Sequence, residues 1–269
     1  MLHYKHVAFV KPDPERIRQD FWKGQPTYAR LFALFLESYA ERIGKPRWGD
    51  QTTLNERYAD QILKAYPGAK MIQMVRDPRD RYEASLVMWP NGKGKVGGAT
   101  ARWRYSVDLA HKNLKKHPDR YMVLRFETLI LEPEQTLQKV CAFLGESYEP
   151  AMLQMSGSPT QRAKLETGSP GDARESMLSP SFIGQYRGKL TKSDILFMQV
   201  HLGRDLRGYE YPIDDLRFTR GQRVRFLVAD WPLNWIRMVT WRAVENIQHN
   251  YPGKVGRKPG SRMILKGSS

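Results

Sequence analysis

The stretch from Ala69 to Ser85, AKMIQMVRDPRDRYEAS, constrains the fold more than any other part of this chain. Met71, Ile72, Met74 and Val75 form a short apolar run of the kind that makes a buried strand. The run stops at a charged turn, with Pro78 placed where a helix begins and a missing N–H costs nothing. Asp77 is positioned to cap that helix. Arg76 therefore stands where a buried strand meets solvent. In open α/β sheets ligands collect at the carboxyl ends of strands, and a helix N-terminus there adds N–H donors and partial positive charge. These residue types suit an anion such as phosphate, and they also suit a surface Arg-Asp ion pair ending an ordinary strand.

Helical and extended patterns alternate around this corner. Leu31, Leu34, Phe35, Tyr39 and Ile43 line one broad face over residues 28–43, and Gly44 is a natural stop. A short strand carrying Trp48 is expected next, ending in GDQTT. Asn55 then opens a helix with Tyr58, Ile62, Leu63 and Tyr66, closed by the Pro67-Gly68 turn. The order helix, strand, helix, strand predicts a parallel sheet with helices on its faces. Residues 91–98, NGKGKVGG, read either as a solvated connection or as a mobile lid; they match neither the phosphate-binding P-loop nor the dinucleotide fingerprint. A helix is predicted from about Ala99 to Lys116, with Trp103, Val107, Ala110 and Leu114 on one face and Lys112, Lys115 and Lys116 near its end, where cations suit the dipole.

Residues 121–126, YMVLRF, read as a further strand. Pro133 and Glu134 open the helix after it, and Gly145 ends that helix. Residues 156–180 are rich in Ser, Gly, Pro and charge and read as an irregular surface segment. Thr191 with Asp194 three residues on is placed to cap a helix bearing Ile195, Met198 and Leu202. From Arg217 the chain turns basic, and after Pro232 the residues Leu233, Trp235, Ile236, Met238, Val239, Trp241, Val244 and Ile247 cover a wide helical arc. So broad an apolar surface either docks on the domain or a second subunit, or lies in an anionic membrane interface with Arg237 and Arg242 at its edges. The last residues, PGKVGRKPGSRMILKGSS, read as a disordered basic end.

Composition narrows the partners. Lys and Arg number 44 against 28 Asp and Glu, a formal charge of +16. Such an excess favours a polyanion, an anionic membrane or a phosphorylated small molecule. The base-stacking signature of RNA-binding sheets and the Cys/His spacing of zinc fingers are absent, so no dedicated nucleic-acid partner is expected. The single cysteine, Cys141, falls in an apolar helical pattern; it rules out an intramolecular disulfide and a cysteine metal cluster and fits a reducing, cytoplasmic setting. Neither a signal-peptide pattern nor an apolar run of about 18 residues is present. The expected localisation is therefore cytoplasmic, with peripheral membrane contact through the tail as an added expectation.

Three pieces in order then carry a resemblance: MVRDPRDRYEAS, YMVLRFETLILEPEQTLQKVCAFLG and FIGQYRGKLTKSDILFMQVHLGRDLRGYEY. Together they resemble the sulfotransferases that use 3'-phosphoadenosine 5'-phosphosulfate, particularly the bacterial members, over about residues 45–211. The fold this implies is α/β: a P-loop-NTPase-like sulfotransferase fold with a short parallel sheet flanked by helices, missing its first strand, followed by a basic helical tail. The implied organisation is a domain over residues 1–212 and a tail over 213–269.

The resemblance also implies roles. Arg76 would hold the 3'-phosphate by a charge-assisted contact. Ser85 is the serine available as its partner, but it lies nine residues on where the family spacing is eight, and one residue turns a helix by about 100°. Either a bulge absorbs the extra residue, or Ser85 points elsewhere and Arg79 or Arg81 substitutes. Phe126 stands where relatives often place a tyrosine near the adenine. Arg187 falls in a turn that approaches the phosphate side.

The first residues, MLHYKHVAFVKPDPERIRQDFW, contain nothing like the family's PRSGTT loop, which binds the 5'-phosphosulfate, and GDQTT replaces a common Lys-Thr-Pro. An N-terminally incomplete sequence, truncated or weakly active, is the expectation on this point. The implied co-substrate is 3'-phosphoadenosine 5'-phosphosulfate with no metal. The implied chemistry is sulfuryl transfer to an acceptor hydroxyl or amine, on a glycan, lipid, peptide or small alcohol, with a general base near the acceptor. No residue is assigned as that base: Asp50 suits a turn cap, and His6 suits packing near the terminus. The alternative is a non-catalytic basic module that binds a membrane surface or polyanion.

Overall fold

The computed structural model describes residues 12–88, 95–154 and 178–250. The first residues of the chain, residues 91–94 of the glycine-rich stretch, residues 156–177 of the irregular segment and the basic end fall outside the described residues. The chain divides into two compact units, Met1–Ala69 and Lys70–Ser269.

In the first unit, helix α1 spans Pro14–Trp22 and α2 spans Tyr28–Arg42. Asp13 caps α1 through the amides of Glu15 and Arg16, and Thr27 caps α2 through that of Arg30. The Arg30 guanidinium returns to the Asp20 and Phe21 carbonyls in the last turn of α1. Asn55 opens a 3-10 turn, Asn55–Tyr58, before α3, Ala59–Ala65.

The expected strand at Trp48 is corrected: the backbone there is irregular. Its indole instead meets the Phe32 and Tyr66 rings edge-on, with centroids 6.2 and 5.6 Å away. Side-chain packing between helices fixes this segment, so an aromatic that looked like a strand former serves as a wedge. Asp50 does cap the GDQTT turn, accepting from Thr52 Oγ1 and Asn55 Nδ2.

The second unit holds the sheet, which among the described residues has two parallel strands: β1, Met71–Val75, and β2, Tyr121–Arg125. Met71 pairs with Tyr121 and Val75 with Arg125, so both strands end at the same level. Helices α4, Pro78–Met88, and α5, Lys95–Lys116, connect them. Phe126, expected as the last strand residue, is instead the first residue of α6, Phe126–Leu131. Helix α7, Pro133–Leu144, begins at its proline and ends at Gly145, whose φ is 77°. Helix α8, Lys192–Gly208, is capped by Thr191 as expected, with the hydroxyl oxygen accepting from the Asp194 amide. Buried Val75, Trp103, Val107, Phe197, Met198 and Leu202 centre the core between β1, α5 and α8.

The glycine-rich connection is shorter than expected. Lys95–Gly98 already belongs to α5, and Gly97 and Gly98 are buried. The reason lies in the tail, where a short helix α9, Arg220–Arg225, runs through a π turn, Phe226–Asp230, into α10, Trp231–Asn250. Helix α10 packs along α5 so closely that a Cβ at Gly97 would collide with the backbone carbonyl of Asn234. The pair is fastened further along by Arg242, which lies over the Tyr105 ring and 3.7 Å from Asp108.

Candidate functional site

Arg76 follows β1 directly and Phe126 follows β2, so the parallel register brings the two together. The guanidinium carbon lies 4.7 Å from the Phe126 ring centroid. Arg76 Nη2 donates to the Phe182 carbonyl at 2.8 Å, and the Arg76 carbonyl accepts from Trp103 Nε1 at 2.8 Å. This contact set accounts for one of the five N–H donors of the guanidinium. Nε is shielded from solvent with no acceptor among the described residues. A guanidinium held this way over a ring, with spare donors, is prepared to receive an anion.

What holds Arg76 in place is a set of buried carboxylates. The surface Arg76-Asp77 pair weighed from sequence does not form. Asp77 caps α4, accepting from the Arg79 amide at 2.9 Å, and also grips the Arg79 side chain through Nε and Nη2 at 2.9 and 2.6 Å. Arg79 is fully buried, lies over Tyr186 and reaches Gln199 and Asp214. Its guanidinium is thus committed, and it cannot substitute for Ser85 as a phosphate ligand. Arg81 is exposed.

Asp80, also buried, accepts the amides of Gly184 and Tyr186 at 2.7 and 2.9 Å. Burial pushes its carboxyl above the ordinary value, and the two amide bonds work against that rise. Gly184 has φ 76°, a conformation that side-chain-bearing residues rarely adopt, and this sharp turn aims both amides at one carboxylate. Glu127, buried as well, accepts the Asp77 amide at 2.8 Å and the Tyr211 hydroxyl at 3.0 Å. Desolvation raises its pKa against the pull of those bonds. Hence the three sequence pieces that carried the resemblance meet physically: Glu127 joins all three, and Asp80 joins the first to the third.

Arg187 leaves the same turn. It bonds Asp214 Oδ1 at 2.9 Å and lies 4.8 Å over the Tyr186 ring, while Tyr186 donates to Asp214 Oδ2 at 2.6 Å. Burial works to raise the Asp214 pKa, but these hydrogen bonds and the Arg79 and Arg187 charges hold it below the ordinary carboxylate value. Arg187 and Arg76 share the 182–187 turn, and Asp214 and Arg79 join Arg187 to Asp77 beside Arg76. Ser85 lies on α4, and its hydroxyl donates to the Tyr82 carbonyl at 2.7 Å, a back-bond within its own helix. Arg76 and Phe126 are therefore the two proposed site residues in direct contact.

Sequence reasoning did not single out Asp80, Glu127, Tyr186, Tyr211 or Asp214. The available signal was the repeated acidic residue in RDPRD and the Phe-Glu pair, since charges among apolar residues that begin helices need partners.

Comparison with known proteins agrees with this architecture. A sulfotransferase domain from the curacin biosynthetic pathway superposes with a TM-score of 0.50 at 19% identity, covering 78% of both chains. The sulfotransferase domain of the Synechococcus PCC 7002 olefin synthase gives 0.52 at 19% identity over 79% of both. These likenesses establish the fold. A protein-tyrosine sulfotransferase of Drosophila melanogaster is 24% identical over 117 residues, which is 40% of this chain and 23% of that protein; the matched chain thus spans about a quarter of that relative's length. A model of the Sulfotransferase family matches residues 8–150, more than half of the chain, and the chain belongs to that family.

Proposed function

We propose that this chain binds 3'-phosphoadenosine 5'-phosphosulfate as co-substrate and takes part in moving its sulfuryl group to an acceptor hydroxyl or amine. The observation that carries this reading is the Arg76 guanidinium, half-buried over Phe126 at the carboxyl ends of two parallel strands, with one hydrogen bond, to Phe182, among the described residues. A hydrogen bond from the charged guanidinium to a phosphate oxygen contributes about 1.5–3 kcal/mol. The 3'-phosphate is the group assigned to this position, with Phe126 offering a face to the adenine.

In the transfer itself, the acceptor oxygen or nitrogen forms a bond to sulfur as the bond from sulfur to the bridging phosphate oxygen breaks. The acceptor proton passes to a base, and the leaving phosphate takes the electron pair. Negative charge develops on that bridging oxygen, so donors aimed there lower the barrier. The role of Arg76 is to anchor the opposite end of the nucleotide and so set the position of the reacting end.

The test is a melting experiment with adenosine 3',5'-bisphosphate. Near one hundred times its dissociation constant, the ligand adds about 2.7 kcal/mol of stability. A clear rise in melting temperature is expected for the native chain and none for Arg76→Ala. Equal stabilisation by 5'-AMP, which lacks the 3'-phosphate, would remove Arg76 from its assigned role.

A further inference from the structure

The tail that docks on α5 uses only one face to do so. Trp231, Asn234, Met238, Trp241 and Glu245, at alternating steps of three and four residues, turn inward; Asn234 and Glu245 are buried. The outward face of α10 is apolar as well: Ile236, Val239, Val244 and Ile247 are 52, 43, 47 and 47% exposed. A surface helix ordinarily turns a polar side to water, and this one exposes branched aliphatic residues there.

The outward face continues through α9. Val224, Leu227 and Val228, spaced to share one helical side, are 60, 60 and 74% exposed, while Phe226 between them is buried. From Val224 to Ile236 an uninterrupted α-helix would overshoot whole turns by about 120°. The π turn at Phe226–Asp230 accommodates one extra residue and takes back about 100° of that. The two exposed apolar groups therefore fall along one line.

Residues 219–250 carry five arginines against Asp230 and Glu245; Arg242 is turned to Asp108 and Arg237 to Asn234, while exposed Arg220, Arg223 and Arg225, the last 3.8 Å from Asp230, lie beside the outward line in α9. A second copy of a chain with a formal charge of +16 would bring like charge against these arginines. An anionic lipid surface complements both the arginines and the apolar line. We infer that the α9–α10 arm is a peripheral membrane-binding element, which lies flat on anionic bilayers with Val224, Val228, Ile236 and Val239 entering the interface.

The experiment is sedimentation of the full chain with vesicles of phosphatidylcholine and phosphatidylserine (about 7:3) and with pure phosphatidylcholine vesicles. The native chain should favour the anionic vesicles, and added salt should weaken that binding. The triple variant Val228→Ser, Ile236→Ser, Val239→Ser should lose at least about ten-fold in affinity at an unchanged melting temperature. Should that variant fail to fold, Val228→Asp, at a site 74% exposed, serves in its place and should also reduce binding. Equal binding to both vesicle types, or undiminished binding by the variants, would overturn the inference. So would self-association of the native chain without lipid that the variants abolish, since the face would then be an interface between copies.

Discussion

Arg76 lies over the face of Phe126, 4.7 Å from its centroid, and each residue directly follows one of two strands paired in parallel register. The contact is a cation–π pair at a partly buried position, of the order of 1 kcal/mol. Phe126→Leu keeps apolar volume and removes the ring. Affinity for adenosine 3',5'-bisphosphate should fall by about ten-fold in titration calorimetry, while Phe126→Tyr, which retains the face, stays within about two-fold of the native value.

Ser85 separates what family resemblance implies from what the geometry favours. Its only hydroxyl proton goes to the Tyr82 carbonyl, and the alanine variant gives up a back-bond that a helix does not need. Ser85→Ala should leave the bisphosphate dissociation constant within about two-fold and the melting temperature within about 2 °C. A ten-fold loss of affinity would return the serine to the phosphate.

Asp80 is the clasp of the turn that supplies Phe182 to Arg76. Both of its oxygens accept backbone N–H groups at a buried position. Asp80→Asn sets an amide NH2 against one of those donors, so one bond is lost and two donors face each other. The expected cost is about 2 kcal/mol in chemical denaturation, with weaker nucleotide binding because the turn is released.

Local rules made much of this fold legible. Pro78 opening α4, Gly145 ending α7 and Thr191 capping α8 each depend on residues within one turn of chain. The bracing of the site does not. Asp80 and Tyr186 are separated by 106 positions, and Arg79 and Asp214 by 135. Asp77 lies next to Arg76 and two residues from Arg79, and the sequence alone does not tell which of the two arginines it pairs with; the fold gives it to Arg79. Trp48 misled for the same reason, because its apolar character is satisfied by rings from two helices rather than by a sheet. The resemblance supplied long-range information that periodicity lacks: its three pieces are those that Glu127 and Asp80 tie together.

Gly97 shows how a glycine-rich stretch can be read as a loop and act as a packing surface. Its missing side chain lets the carbonyl of Asn234 approach the α5 backbone, and neither backbone can yield like a flexible side chain. Gly97→Ala must push α10 outward, at a cost of about 1–3 kcal/mol and a fall in melting temperature of roughly 5 °C. Gly221→Ala in α9, where a Cβ meets nothing, is the control and should be neutral or slightly stabilising.

His201 makes tail packing sensitive to acid. Its ring lies 4.4 Å from that of Phe197 and 6.0 Å from that of Trp231, and Nε2 is buried without a hydrogen-bond partner among the described residues. Burial, with a lesser contribution from the Arg104 charge, holds its pKa below the ordinary value of 6.5. The unfolded chain therefore takes up this proton more readily than the folded one. The stabilising contribution is complete above about pH 6.5 and is lost as pH falls through the lower folded value. Melting temperatures of the native chain should decline from pH 7 to pH 5, and His201→Phe should flatten that decline while matching the native chain within about 2 °C near pH 8. An identical slope for the two proteins would assign the acid sensitivity to other groups.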